Sequence, residues 1–442
     1  MAQNTFQTTS KVEKAIAFQW KEFDGFIDHL EFHNDELPGA VDKTGYTKLI
    51  PRPSRHKANL KDILQGSKDA DLNDKQYFED LSLKGVTQPA DGYGEMVDVS
   101  FPFRLRYKVV TDLQVSLEDL MFKMDREQAM DQHFTPAIIE HKNSLNAAVA
   151  QLIEASAGNT IVTDGSYDGY VEALYKSRQL MVNRAGIAPK TEKFALLNTS
   201  VLPKIGLAGA KVFQARGADN IYAKGEFEPI AGFSLFESPT LSTPTYNAIG
   251  ADAVVSATQN VTKFDSAAWT PTWQVDLTGL TADVVVKAGT KIKFTNESTD
   301  IRWIVPTVGS DAGFAATFTV VSTVQASGAG AVTLTLSEPF ISGGDFKNVD
   351  ASLVAGTTKV AVVTSTGKIL TPSYAFDKSA VWVGSPAVKY PKGVDNAISL
   401  KLGGVNISLI EDHWTGTLQS TSKIISFLAV GICKPEAITC IY

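Results

Sequence analysis

The stretch from Thr135 to Gly158 constrains this chain most. Thr135 is a good N-cap, and Pro136 suits the first helical position, where its missing N–H costs nothing. Ile138, Leu145, Val149, Leu152 and Ile153 follow at helical spacing and form one apolar stripe. Gly158 can take the left-handed conformation that closes a helix. The spacing predicts a helix of about 22 residues, roughly 33 Å long. Glu140, Lys142, Asn146 and Gln151 fall on its polar side. Such a rod is either a core helix with one wet side or a spine crossing a flat, plate-like subunit.

A chain of 442 residues has room for two or three domains with real cores. Its net charge of −7 offers no broad basic field for nucleic acid. Met1 to Trp20 is polar and lacks the apolar core of a signal peptide, and no window reaches the length of a membrane span. The only cysteines, Cys433 and Cys440, give no disulfide framework, which predicts synthesis in a reducing compartment. Without a secretory signal, Asn198, Asn260, Asn296 and Asn406 read as chance matches to the glycosylation pattern.

Residues 1 to about 75 carry Pro38, Pro51 and Pro53 among scattered charges, which favours an extended segment. An arm wrapping a neighbouring subunit and a disordered tail both fit that composition. From 76 to 110 the pattern is strand, turn, strand, with a dense turn cluster at Gln88 to Gly94. Val97, Val99, Phe101, Phe103, Leu105, Tyr107 and Val109 alternate with Asp98, Ser100, Pro102, Arg104, Arg106 and Lys108. Pro102 cannot donate to a ladder, so it predicts an edge position or a bulge. Ser116 to Asp119 resembles a capping box, and Asp168 to Asn183 reads as a second amphipathic helix. Phe194 to Leu197 reads as a short buried strand.

Near Ser242 the composition shifts to Thr, Val, Ala, Gly and Ser. Short strand candidates follow to about Thr371: Val284–Val286, Lys291–Thr295, Ile301–Val305, Ala316–Val321 and Ala331–Leu336. Turn residues separate them, as in a small all-β barrel or sandwich. Mixed character then returns, with strands expected at Ala380–Gly384, Ala397–Lys401 and Ser422–Val430. The last is nearly all apolar and is expected to sit centrally, covered on both faces. An all-β block between mixed segments predicts an inserted domain.

Catalytic motifs are scarce. His29 and His33 stand four apart, a spacing that places two ligands on one helical face, but the order is not that of a zincin and a solvated face is the commoner outcome. Cys433 and Cys440 match no zinc knuckle. Gly367-Lys368 lacks the rest of a P-loop, and Gly165-Ser166-Tyr167-Asp168-Gly169 has the wrong spacing for a nucleophile elbow. His413 and Ser420 could serve as base and nucleophile of a hydrolase, yet no orienting acid stands out. Trp269, Trp273 and Trp303 could stack on sugars or fill a core. No catalytic, cofactor or metal residues are therefore assigned.

Three stretches carry a resemblance: Asp168 to Asn183 with Phe194–Asn198 and Ile230–Pro239, the all-β block that follows Pro239, and Gly416–Gly431 running into Lys434-Pro-Glu-Ala-Ile438. Together they resemble the major capsid protein of short-tailed phages of the P-22 type, which has the HK-97-type shell fold. The resemblance implies an α+β fold divided as N-terminal arm 1–60, extended loop 61–112, peripheral domain with spine helix 113–160, axial domain 161–241, inserted all-β domain 242–372, and axial domain with return to the peripheral domain 373–442. It implies a non-enzymatic, self-assembling icosahedral shell located in the virion and assembled in the host cytoplasm. The implied partners are copies of itself in pentamers and hexamers, a scaffolding protein, a portal, and enclosed double-stranded DNA without sequence-specific contact; cofactors and membrane are not implied. On the hairpin, Tyr93, Phe101, Phe103, Arg104, Arg106 and Lys108 are the candidates for contact between subunits, with Glu79, Asp80 and Asp91 as acidic counterparts. A carbohydrate-binding surface or tail protein, using the Thr-rich block, is the alternative.

Overall fold

The predicted rod forms. In the computed structural model, helix α1 runs Thr135–Ser156. The structure describes residues 17–18, 20–21, 25–37, 47–51, 100–116, 135–201, 229–258, 273–305, 310–343, 347–364, 366–387, 396–414 and 419–442. The expected capping box at Ser116 to Asp119 runs outside them after its first residue. Gly158 is not a left-handed cap: it is absent from the positive-φ glycines. It is small for another reason, because a Cβ there would meet the Pro435 carbonyl oxygen at 2.6 Å and the Glu338 carboxylate.

Lys142 and Asn146, expected on the wet side of α1, are buried. The chain segment 20–37 covers them. Lys142 Nζ donates to the Trp20 carbonyl at 2.7 Å, pairs with Asp28, and sits 4.8 Å from the Trp20 ring. Asn146 Oδ1 accepts from Ile27 N at 3.2 Å. Trp20, Phe26, Ile27 and Leu30 join the main core. Residues 20–21 and 25–37 of the segment expected as an N-terminal arm therefore pack against the chain's own body; of the rest of 1–60 only 17–18 and 47–51 are among the described residues.

Beyond α1, the mixed part of the chain contributes strands β1 (Thr47–Pro51), β2 (Ser100–Ser116) and β3 (Asn159–Ile161), helix α2 (Tyr167–Asn183), and strands β4 (Lys193–Asn198) and β5 (Phe233–Ser238). After the Thr-rich block come β6 (Ser373–Asp377), β7 (Val381–Gly384), β8 (Asn396–Leu402), β9 (Val405–Trp414), β10 (Gln419–Ile432) and β11 (Ile438–Ile441).

A long, antiparallel sheet has the order β1-β2-β10-β9-β8, with β7 extending the β9 side of β10. β10 is central, as expected. It is covered on both faces only from Leu428 to Gly431; between Lys423 and Phe427 burial alternates, because α1 lies on one face alone. Pro102 is matched with Leu49 of β1, and the β2–β10 pairing begins only at Arg104, so its missing donor falls on an unpaired side. A register shift follows between Leu105 and Tyr107.

The second sheet is mixed, in the order β3-β11-β6-β4-β5, with β3–β11 and β4–β5 parallel. Every residue of β4, β6 and β11 is buried. The chain leaves this sheet at Ser238 and re-enters it at Ser373. Between those points only strands and turns are described. Trp273–Thr278, Lys291–Asn296, Thr317–Thr319, Val332–Leu336 and Thr358–Val362 are joined antiparallel in a seven-stranded sheet with two shorter strands. A bridge between Val320 and Leu336 links the two ends of that ladder. Its interior is aromatic: Phe318 lies 5.0 Å from Trp303, 5.6 Å from Phe294 and 5.8 Å from Phe340.

Candidate interaction surface

The outer face of the long sheet is the clearest surface that the described residues leave uncovered. Strict alternation along β2 sends Arg104, Arg106, Lys108, Val110 and Asp112 outward, while Leu105, Tyr107, Val109 and Thr111 are half-buried. The inner side is fixed by His141 of α1. Its Nδ1 lies 3.0 Å from Thr111 Oγ1 on β2, and its Nε2 lies 2.9 Å from Ser426 Oγ on β10. Burial pushes its pKa down from 6.5 to about 4, so the ring is neutral and one nitrogen donates while the other accepts.

On the outer side, register puts Lys108 opposite Phe427, Val110 opposite Ile425, and Asp112 opposite Lys423. Lys108 Nζ sits 6.0 Å from the Phe427 ring, and the Arg106 guanidinium 5.5 Å from the Tyr107 ring. Asp112 and Lys423 form an exposed pair at 3.5 Å. Arg104, Arg106 and Lys108 have no carboxylate within ion-pair distance among the described residues. Their cations are thus spread along an aromatic and aliphatic surface, a pattern suited to meeting carboxylates supplied from elsewhere.

The other expected contact residues are placed differently. Phe103 is fully buried, in a small cluster with Ile50, Ala429 and Cys433, and meets Trp382 edge-on at 6.2 Å. It is a core residue, packed with Ile50 of β1 and against Trp382 of β7 and Leu37. The backbone of Phe101 pairs with Ile50. Tyr93 and the proposed counterparts Glu79, Asp80 and Asp91 lie outside the described residues. Val110, 38% exposed, and Lys423 belong to the same face and were missed. Val110 interrupts the polar register directly after Val109, and Lys423 is brought in only by the pairing with β10.

The chemistry weighed from sequence is dispersed by the fold. His29 ends a short 3-10 turn and lies 5.0 Å from the Phe236 ring, while His33 stacks on Trp382 at 3.8 Å, so the expected helical face does not form. Ser166 caps α2: its Oγ accepts from Gly169 N at 3.0 Å and donates to Asp164 at 2.6 Å. His413 and Ser420 face each other in the β9–β10 register, a backbone pairing. Trp303 is buried, and Trp273 stacks on Phe340 at 5.7 Å; Trp269 is outside the described residues. Among those residues no group of three or more His, Cys, Asp or Glu could hold a metal, and no helix is long and apolar enough to cross a membrane.

No family model matches the chain, and no curated protein matches it. Its structure is similar to one from Mycobacterium phage Che8, at 8% identity over 89% of this chain and 84% of that one, with a TM-score of 0.40. It is similar to the capsid structure of the cyanophage P-SCSP1u at 11% identity, over 90% and 82% of the two chains, with a TM-score of 0.37. A virus-like particle from Pyrococcus furiosus aligns at 9% identity over 98% and 99%, with a TM-score of 0.40.

Proposed function

We propose that this chain is a major capsid protein of the HK-97-type fold, of the P-22-like kind with an inserted β barrel. Many copies would tile the shell of a tailed phage around its double-stranded DNA. The observation that carries this reading is the long sheet, packed on α1 through one face and left open by the described residues on the other, which bears a row of cations. A surface of that extent is completed by another molecule, and in a shell that molecule is a second copy. The route of the chain supports the same reading, since the Thr-rich block departs from and returns to one sheet.

In the assembled state Arg104, Arg106 and Lys108 would meet carboxylates of an adjacent copy, through contacts weak enough individually for reversible growth. The enclosed DNA would be held without base-specific contacts, and a scaffolding protein and portal would guide closure, as the resemblance implies. Negative-stain microscopy of the purified chain, with and without a crowding agent, tests the reading. Closed particles or partial shells are expected. A monomer that stays dispersed at every concentration, and that binds glycans on an array, would replace it with the carbohydrate-binding alternative.

A further inference from the structure

The Thr-rich block meets the body of the protein across a seam that is unusually polar for its depth. From the body, Arg184 projects into the block. Its Nη1 donates to the Gly158 carbonyl at 3.0 Å and to Asn159 Oδ1 at 2.6 Å. Nη2 pairs with Glu338 of the block, and the guanidinium lies 3.4 Å from the centre of the Trp303 ring. From the block, Lys291 projects the other way. Its Nζ donates to Thr319 Oγ1 at 2.6 Å and approaches the Ala157 carbonyl at 3.5 Å, to which the Thr319 hydroxyl donates at 2.9 Å. Ser242 donates to Glu154 across the same junction.

Lys291 is 1% exposed and has no carboxylate within ion-pair distance among the described residues. The ionisable groups around it are Glu154 of α1, Glu338 of the block and Cys440 of β11. Burial lowers its pKa, and those three groups act in the opposite direction. The Cys440 thiol in turn lies among the hydroxyls of Tyr374 and Tyr442, and Tyr246 reaches Tyr442 from the connector into the block.

Two buried cations and a buried carboxylate make poor glue. Taking them out of water offsets most of what their pairing returns, and an apolar seam of equal volume commonly holds better. Separation re-solvates all three groups at once.

We propose that the block is a releasable unit: it undocks along the Lys291–Arg184 seam with both halves still folded, and Lys291 sets how readily it does so. This inference does not depend on the shell reading. The two cysteines report on it, since Cys440 lies at the seam and Cys433 lies in the separate cluster around Phe103.

The test is alkylation of the 442-residue chain by N-ethylmaleimide in native buffer, followed by mass spectrometry at each cysteine over a urea series. Cys440 should react at least about tenfold faster than Cys433, with the weaker urea dependence of a partial opening. Lys291→Met should slow Cys440 by about tenfold or more and leave Cys433 unchanged. Glu338→Gln, which removes the carboxylate charge facing Arg184 Nη2, should accelerate Cys440 alone and keeps the test alive if Lys291→Met does not fold. Equal rates and equal urea dependence at both cysteines would overturn the proposal, as would faster Cys440 labelling in Lys291→Met or equal acceleration of both cysteines in Glu338→Gln.

Discussion

The two sheets of the body share α1 as a neighbour yet are finished to different degrees. In the five-stranded sheet all of β4, β6 and β11 is buried, including Lys193 at the start of β4 and Asp377 at the end of β6. Lys193 Nζ donates to the carbonyls of Thr191, Ala188 and Pro189 at 3.0–3.3 Å and lies 3.9 Å from Asp377. Even its charges are satisfied within the chain. In the long sheet, α1 covers one face, and the other keeps Arg104, Arg106 and Lys108 in water. The first sheet needs nothing more to be stable. The second has a face that the described residues leave open, and that face is where the proposed function puts the contact between copies.

If this contrast is right, truncation in the first sheet is costly and truncation on the outer face of the second is nearly free. Phe376 of β6 is fully buried against Phe194 at 5.8 Å. Phe376→Ala should cost about 3–5 kcal/mol in urea denaturation. Val110→Ala should stay within about 0.5 kcal/mol. Comparable losses at the two positions would mean that the outer face is covered in the monomer.

The inner side of the long sheet makes the second, pH-dependent prediction. His141 is held neutral down to about pH 4 in the fold but takes up a proton below about 6.5 once unfolded. Protonation therefore favours the unfolded chain, and stability drops as pH falls from about 6.5 toward 4, by roughly 3 kcal/mol from this residue. His141→Gln should lose that part of the acid limb while retaining the hydrogen bonds to Thr111 and Ser426. Identical pH profiles for the two proteins would show that the ring is solvated.

Where the body meets the block, Gly158 sharpens the comparison from a third side. Gly158→Ala forces a methyl group against the Pro435 carbonyl and the Glu338 carboxylate. A loss of about 1–3 kcal/mol is expected, read from the denaturation midpoint. A neutral result would mean that the seam gives way locally.

These elements differ in how far they can be read from sequence, and locality explains the difference. The outward row of β2 and the strands of the block follow from alternation, which a strand imposes residue by residue. Helix α1 follows from its stripe. The burial of Lys142 does not, because it depends on Trp20, which lies 122 positions away, folding back over the helix. Strand β9 is also hidden: Val405 to Trp414 mixes charge with apolar residues, and its pairings with β8 and β10 make it a strand. Gly158 was read as a cap, since a glycine after a helix signals one, but its neighbours Pro435 and Glu338 arrive from distant parts of the chain. The candidate surface was legible in Arg104, Arg106 and Lys108. Phe103 was misassigned because alternation says which residues share a face, and says nothing about what covers it.

The smallest expected change in stability belongs to that cationic row, and it is the most informative. Arg104→Ala, Arg106→Ala and Lys108→Ala remove exposed charges with no carboxylate partner among the described residues, so each should alter the unfolding free energy by less than about 0.5 kcal/mol. Reversing all three to Glu should leave secondary structure and melting nearly unchanged as well. Association is where the row should matter: a triple Glu variant, followed by light scattering, should fail to form the particles expected of the parent chain, and the parent should assemble more weakly as salt rises. A variant that melts normally and still assembles would move the contact between copies off this sheet, and the half-finished layer would then need another occupant.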